Sequence, residues 1–271
     1  MKHLAKRLLC FLLVLVMLSS SAFLPRAHAA TDYTDLILDI IDTFEQQDNS
    51  AGSAPQQLVN GAYRAAELLT VIAYELDSYG SYSSVISDIY DSLGENDKST
   101  SSAPQQSVNG FYRCAELLCV IAVELDDSGS GFYKDFALQV LDDMETNNAR
   151  CNGAPQQIVN GVYRMFDALT IIAYEMDVDS SLITSISDTL ESNDSRASGA
   201  DHQIVNGLYR CVELLYLITR KSCGSYLQDS IDEVLDDLSA QDNRVSSAPQ
   251  QEVNGAYRLV ELLAYWGIGN A

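Results

Sequence analysis

Ala54-Pro55-Gln56-Gln57-Leu58-Val59-Asn60-Gly61-Ala62-Tyr63-Arg64 is the stretch that decides the fold, because the chain returns to it along its whole length. Near-verbatim copies begin at Ala103, Ala154 and Ala248. A degenerate copy, Ala200-Asp201-His202-Gln203, rejoins the pattern at Val205-Asn206-Gly207-Leu208-Tyr209-Arg210. The repeated asparagines are 60, 109, 160, 206 and 254, spaced 49, 51, 46 and 48 residues apart. Self-similarity at a period of this size marks stacked supersecondary units, each too small to bury its own apolar face.

Working outward, each copy reads as two helices. Upstream of the first motif, Ile37, Ile40, Ile41 and Phe44 fall at i, i+3, i+4 and i+7, one stripe of a helix whose other side is Asp and Ser. Ile86, Ile89, Tyr90 and Leu93 repeat the stripe, as do Ile231, Val234, Leu235 and Leu238. This is the outer helix of each pair. A polar loop follows, and Ser53-Ala54-Pro55-Gln56 then predicts a capping box with proline in the first turn, where its missing N–H costs nothing. Ser102/Gln105 and Ser247/Gln250 repeat the box, while Gly153 and Gly199 stand in for the serine elsewhere. The second helix runs from Pro55 to Leu76 and is apolar on nearly every side from Leu68 onward, which places it inside. The fold expected is all-α: five tandem α-hairpins of about 48 residues, at about 31–78, 79–126, 127–178, 179–222 and 223–271, forming an α-solenoid or a closed α/α ring. The last copy shows Leu262, Leu263, Tyr265 and Trp266 where a solenoid end carries a polar cap, which favours a closed ring or a self-associating end.

On a wheel of the inner helix, Gln57, Asn60 and Arg64 form one polar stripe away from the apolar arc of Leu58, Ala62, Ala65, Leu69 and Ile72. The stripe recurs as Gln106, Asn109, Arg113, as Gln157, Asn160, Arg164, as Gln203, Asn206, Arg210, and as Gln251, Asn254, Arg258. Stacked repeats would align these across the inner surface. Two readings follow. Either the stripe binds an extended peptide or an anionic ligand, with arginines clamping carboxylates or sulfates, or it is a hydrogen-bond ladder between repeats. Armadillo-type solenoids resemble the first arrangement at the level of architecture alone. Each arginine also has an acid three residues on, from Arg64/Glu67 to Arg258/Glu261. Glycines 61, 110, 161, 207 and 255 sit inside a helix, where each costs about 1 kcal/mol against alanine, so either a neighbouring helix or a ligand must come close to the backbone.

The first 29 residues read as a signal peptide: Lys2, Lys6 and Arg7, an apolar run from Leu8 to Leu18, and Ala27-His28-Ala29 before the cut. Residues 30–271 then form one repeat domain, exported from the cytoplasm to the outside or to a periplasm. The four basic residues before the cut leave 12 of the 16 Lys+Arg against 38 Asp+Glu, a formal charge of −26. Such a charge opposes nucleic acid and anionic membranes, favours solubility and permits cationic partners, and no second apolar run is long enough to span a bilayer. The partner expected is a peptide, protein or glycan.

Cysteines 114, 119, 151, 211 and 223 remain, an odd number without C-x-x-C, and Cys114 and Cys211 share one apolar repeat position; they read as small core residues. One histidine, His202, stands where other copies have glutamine. The chain carries no nucleophile elbow, H-E-x-x-H, Walker loop or dinucleotide fingerprint, so no catalytic, metal-binding or cofactor-binding residues are expected. A glycosidase-like ring is the enzyme alternative, since it needs only two carboxylates in a cleft, but it also needs an asymmetry that evenly repeated polar residues do not supply. The acidic positions Asp42, Asp91, Asp142, Asp188 and Asp236 on the outer helices read as a solvated face or as acceptors for arginine. Asp48, Asp97, Asn148, Asp194 and Asp242 read as turn residues.

Overall fold

The computed structural model describes residues 33–77, 79–100, 102–126 and 132–270. The signal-peptide expectation falls on residues 1–29, outside the described residues.

Among the described residues ten α-helices follow one another: α1 (Thr34–Asp48), α2 (Ala54–Leu76), α3 (Ser83–Ser99), α4 (Ala103–Leu125), α5 (Phe132–Asn148), α6 (Ala154–Glu175), α7 (Ser180–Asp194), α8 (Ala200–Ser222), α9 (Gln228–Asp242) and α10 (Ala248–Asn270). The even-numbered helices are the inner ones. Each packs on the next, α2 on α4, α4 on α6, α6 on α8 and α8 on α10, and α10 packs back on α2. The last helix therefore does what a polar cap would otherwise do: Leu262, Leu263 and Trp266 are at most 2% exposed. At this seam Tyr257 donates to the Asp48 carboxylate, and its ring meets Phe44 edge-on with centroids 4.5 Å apart.

The outer helices form where the stripe predicts. Ile37, Ile40 and Phe44 are buried and Ile41 is half-buried, while Asp42, Asp91, Asp142, Asp188 and Asp236 all face solvent. Each inner helix presents three distinct faces. One meets the outer helix: Asn60 donates to the Phe44 carbonyl, 3.1 Å. One meets the preceding inner helix through glycine. A Cβ on Gly110 would lie 2.7 Å from the Ala62 Cβ, and one on Gly207 would lie 2.6 Å from the Val162 Cγ1. The close approach that these glycines imply is thus made by the neighbouring helix.

The third face points to the ring axis and is filled. Its successive layers are Leu58, Ser107, Ile158, Ile204, Glu252; Ala65, Cys114, Met165, Cys211, Leu259; Leu69, Leu118, Leu169, Leu215, Leu263; and Ile72, Ile121, Ile172, Ile218, Trp266. Glu252, at 7%, is the most exposed of the twenty. Burial of this much apolar surface, at roughly 25 cal/mol per Å², is what holds the inner layer together.

Two expectations need correction. The capping boxes do not form: Ser53 and Ser102 occupy the N-cap in extended conformation, but neither side chain accepts a hydrogen bond. Their backbone carbonyls take the first helical bonds instead, from Gln56 and Gln57 at one end and from Gln106 at the other. The proline in the first turn pre-sets the helical φ without help from the serine hydroxyl. The polar stripe, moreover, does not line the inner surface. It lies between the inner and outer helices, because the axial arc is taken by Leu58, Ala65, Leu69 and Ile72.

Candidate functional site

The stripe residues come together with two further residue types, the Asp or Asn at or near the end of each outer helix and the tyrosine of the preceding repeat. Gln57 donates to Asp48 at 2.8 Å, and the same bond recurs as Gln106–Asp97, Gln157–Asn148, Gln203–Asp194 and Gln251–Asp242 at 2.7–2.8 Å. The acceptor oxygen of each also receives the tyrosine hydroxyl of the preceding repeat: Tyr63 on Asp97 at 2.9 Å, Tyr112 on Asn148 at 2.9 Å, Tyr163 on Asp194 at 2.6 Å, Tyr209 on Asp242 at 2.7 Å, and Tyr257 on Asp48 across the closing seam. Burial, reinforced by the acceptor carboxylate, raises the Tyr63, Tyr163, Tyr209 and Tyr257 hydroxyls far above their ordinary range, so they remain donors at any physiological pH.

The asparagines complete the unit. Asn60, Asn109, Asn160, Asn206 and Asn254 are 6–8% exposed. Each donates to the carbonyl 16 residues back on its outer helix: Phe44, Leu93, Met144, Leu190 and Leu238, at 2.8–3.1 Å. Asn109, Asn160 and Asn254 also donate to Tyr63, Tyr112 and Tyr209 at 3.2, 3.0 and 3.3 Å. A buried amide is costly unless its donors are used, and these are used between helices and between repeats. The sequence signal for this unit was the constant nine-residue step from Asp48, Asp97, Asn148, Asp194 and Asp242 to the following glutamine, held while the overall period varied.

The arginines lie beside the network, half-buried, each paired with the acid three residues on: Arg64–Glu67 2.5 Å, Arg113–Glu116 2.8 Å, Arg164–Asp167 3.0 Å, Arg210–Glu213 3.0 Å and Arg258–Glu261 2.8 Å. Arg164 and Arg258 add Asp143 and Asp237 of their own outer helices, at 3.4 and 3.2 Å, in place of the neighbouring Asp142 and Asp236. Burial raises the acids of these pairs and the arginine opposes it, leaving Asp167 pushed up to about 6. The Nε of all five arginines is buried with no hydrogen-bond partner.

Departures from the five-fold pattern gather where the inner helices begin. Glu252 occupies the axial position filled elsewhere by Leu58, Ser107, Ile158 and Ile204, and its Oε1 has no hydrogen-bond partner. Burial first, and the negative charge of Asp201 second, push its carboxyl up to about 8. Asp201 and His202 are exposed, and the His202 ring lies 3.3 Å from the Ser198 hydroxyl. Cys114, Cys119, Cys211 and Cys223 are buried free thiols and Cys151 is half-buried; burial pushes Cys119 up to about 12.

The two ends of the ring differ. Around the starts of the inner helices the exposed side chains are the first-turn prolines and polar residues, Gln56, Gln105, Gln156 and Gln250 among them, and Gln105 donates to Gln157 of the next repeat at 3.2 Å. At the opposite end, where inner helices finish and outer helices begin, lie the exposed large hydrophobics of the described residues: Leu38, Tyr79, Val85, Phe136, Leu138, Tyr174, Leu182 and Tyr226. Among the described residues no helix is long and apolar enough to cross a membrane.

Compared with known proteins, the chain matches no family model, no curated protein and no solved structure.

Proposed function

We propose that the chain is an exported, closed ring of five α-hairpin repeats that works as a non-enzymatic interaction or scaffold protein, its signal peptide ending at Ala29. In this reading the Gln/Asn/Arg stripe is the ladder that holds the repeats in register, and partners meet the ring's outer surface. The observation that carries it is the Gln–Asp–Tyr–Asn unit: every stripe asparagine uses its amide on the outer-helix carbonyl behind it. The filled axis also counts against a glycosidase, whose two carboxylates need a cleft with room for a sugar ring; the axial layers hold one carboxylate, Glu252, at 7% exposure.

One observation favours the other reading, in which the stripe takes an anionic ligand: the five buried arginine Nε groups lack a hydrogen-bond partner that a sulfate or carboxylate reaching them would supply. Calorimetric titration of the mature chain with a sulfated oligosaccharide separates the two. The interaction reading expects no heat from this probe and a lowered Tm in Arg164→Ala. Saturable binding that Arg164→Ala abolishes at unchanged Tm would overturn it. Export is tested by the mass of the protein released by a secreting host, which should correspond to residues 30–271.

A further inference from the structure

The exposed apolar side chains gather at one end of the ring, and they stand among carboxylates. Tyr79 is 86% exposed and Tyr226 73%. Both are held on ordered turns. Asp77 is buried and accepts from the Ser81 amide at 2.7 Å, the Tyr82 amide at 3.2 Å and the Ser83 hydroxyl at 2.7 Å, while the Gly80 amide returns to its carbonyl at 3.1 Å. Gly80 has φ +67, which only glycine adopts freely, and the turn projects Tyr79 outward. Tyr226 sits in the short 3₁₀ turn Ser225–Leu227, its ring against Gly224, where a Cβ would lie 2.9 Å away.

Repetition adds to this. The residue just before the buried isoleucine or alanine is apolar and 42–46% exposed in α3, α5 and α7 (Val85, Phe136 and Leu182), while α1 has the half-buried Leu36 there and α9 the half-buried Ser230. In these three helices the core face is already supplied by Ile86, Ala137 and Ile183, so the exposed apolar side chain is not needed for packing. Apolar residues held in the open on several elements of one end mark a contact surface.

The charge at this end selects the partner. Asp35, Asp88, Asp135, Asp177 and Asp179 are exposed here, and Glu75 is half-buried beside them. The basic residues at this end are fewer: Arg220 is paired with Asp232 at 2.9 Å, Lys221 donates to the Asp177 backbone carbonyl at 2.6 Å, and Lys134 stands exposed beside Asp135. We propose that this end of the ring is a docking face for a basic, amphipathic protein segment, which sets apolar side chains on Tyr79, Phe136, Leu182 and Tyr226 and Lys or Arg on the surrounding carboxylates. Tyrosine faces suit such a segment twice over, as apolar area and as cation–π partners. A second copy docking through the same face would bring carboxylate against carboxylate, and an anionic bilayer would be repelled.

This inference rests on the interaction-module reading and is tested apart from it. The probe is an 18-residue amphipathic Lys/Leu helix-forming peptide, titrated calorimetrically into the mature chain and into Tyr79→Ser/Phe136→Ser/Tyr226→Ser at low and moderate salt. All three positions are exposed, so the variant should keep the parent's Tm. The expected result is saturable binding, weakened at least ten-fold in the variant and weakened further by salt, with no binding of a Glu/Leu peptide of the same length. Equal binding by parent and variant, no binding to either, or binding of a neutral oligosaccharide that the variant loses would overturn the docking face while leaving the ladder intact. Loss of peptide binding in Arg164→Ala at unchanged Tm would instead overturn the module reading.

Discussion

Removing one asparagine of the network should cost more than its small size suggests. Asn160 is 7% exposed and donates at 2.8 Å to the Met144 carbonyl and at 3.0 Å to the Tyr112 hydroxyl. In Asn160→Ala both bonds vanish, each worth about 1 kcal/mol net, and a polar void is left between α5, α4 and α6. The sum is about 2–3 kcal/mol. At this chain length about 1 kcal/mol moves the midpoint by roughly 2–4 °C, so the expected fall in Tm is about 5–10 °C. Thermal unfolding followed by far-ultraviolet circular dichroism measures it, with Gln156→Ala, an exposed position, as the control that should not move. A fall of less than about 1 °C in Asn160→Ala would refute the reasoning, because a side chain so placed cannot be removed silently if its bonds hold the repeats together.

Gly110→Ala should destabilise, against the usual gain of about 1 kcal/mol for replacing glycine within a helix. The new Cβ would sit 2.7 Å from the Ala62 Cβ and 3.2 Å from its backbone carbon, forcing α2 and α4 apart, so a rise in Tm would contradict the packing described. Stability should also fall as pH rises from about 5 to 8. The Glu75 and Glu252 carboxyls titrate near 7 and 8 in the fold against an ordinary value near 4.5, both chiefly through burial. The folded chain therefore keeps protons that the unfolded chain releases, and this stabilisation, complete below about 4.5, is lost on climbing through the folded values. Glu252→Leu should raise Tm most at pH 8 and least at pH 5; an equal gain at both would show that Glu252 is already ionised.

Much of the architecture was legible because it is periodic. The asparagine spacing and the 3.6-residue stripes locate ten helices and assign inner and outer correctly, since Leu68 to Ala73 can be apolar all round only where protein surrounds them. The stripe was legible as a pattern but not as a place. A wheel separates Asn60 from Leu58 without saying which faces the axis, and that depends on Gly61 seating the neighbouring helix. The partnership of Tyr63 with Asp97 was hidden for another reason. The residues lie 34 positions apart and in different repeats, and tyrosine is explained equally well as packing. Ser-x-x-Gln before an apolar run fits a capping box whether or not the side chains close it, and at Ser53 they do not. The apolar end was passed over because single exposed hydrophobics are ordinary in any sequence; only the fold gathers Tyr79, Phe136 and Tyr226 at one end.

The central claim is that the repeats close on themselves through a glutamine–acceptor–tyrosine contact that recurs at every seam, and the seam between the last repeat and the first tests it most directly. Tyr112→Phe removes a hydroxyl that donates to Asn148 at 2.9 Å within the series, and Tyr257→Phe removes the one that donates to Asp48 where α10 meets α2. A closed ring predicts similar losses from both, about 1–2 kcal/mol or roughly 3–6 °C in Tm. A drop in Tyr112→Phe with Tyr257→Phe unchanged would mean that the ends do not meet.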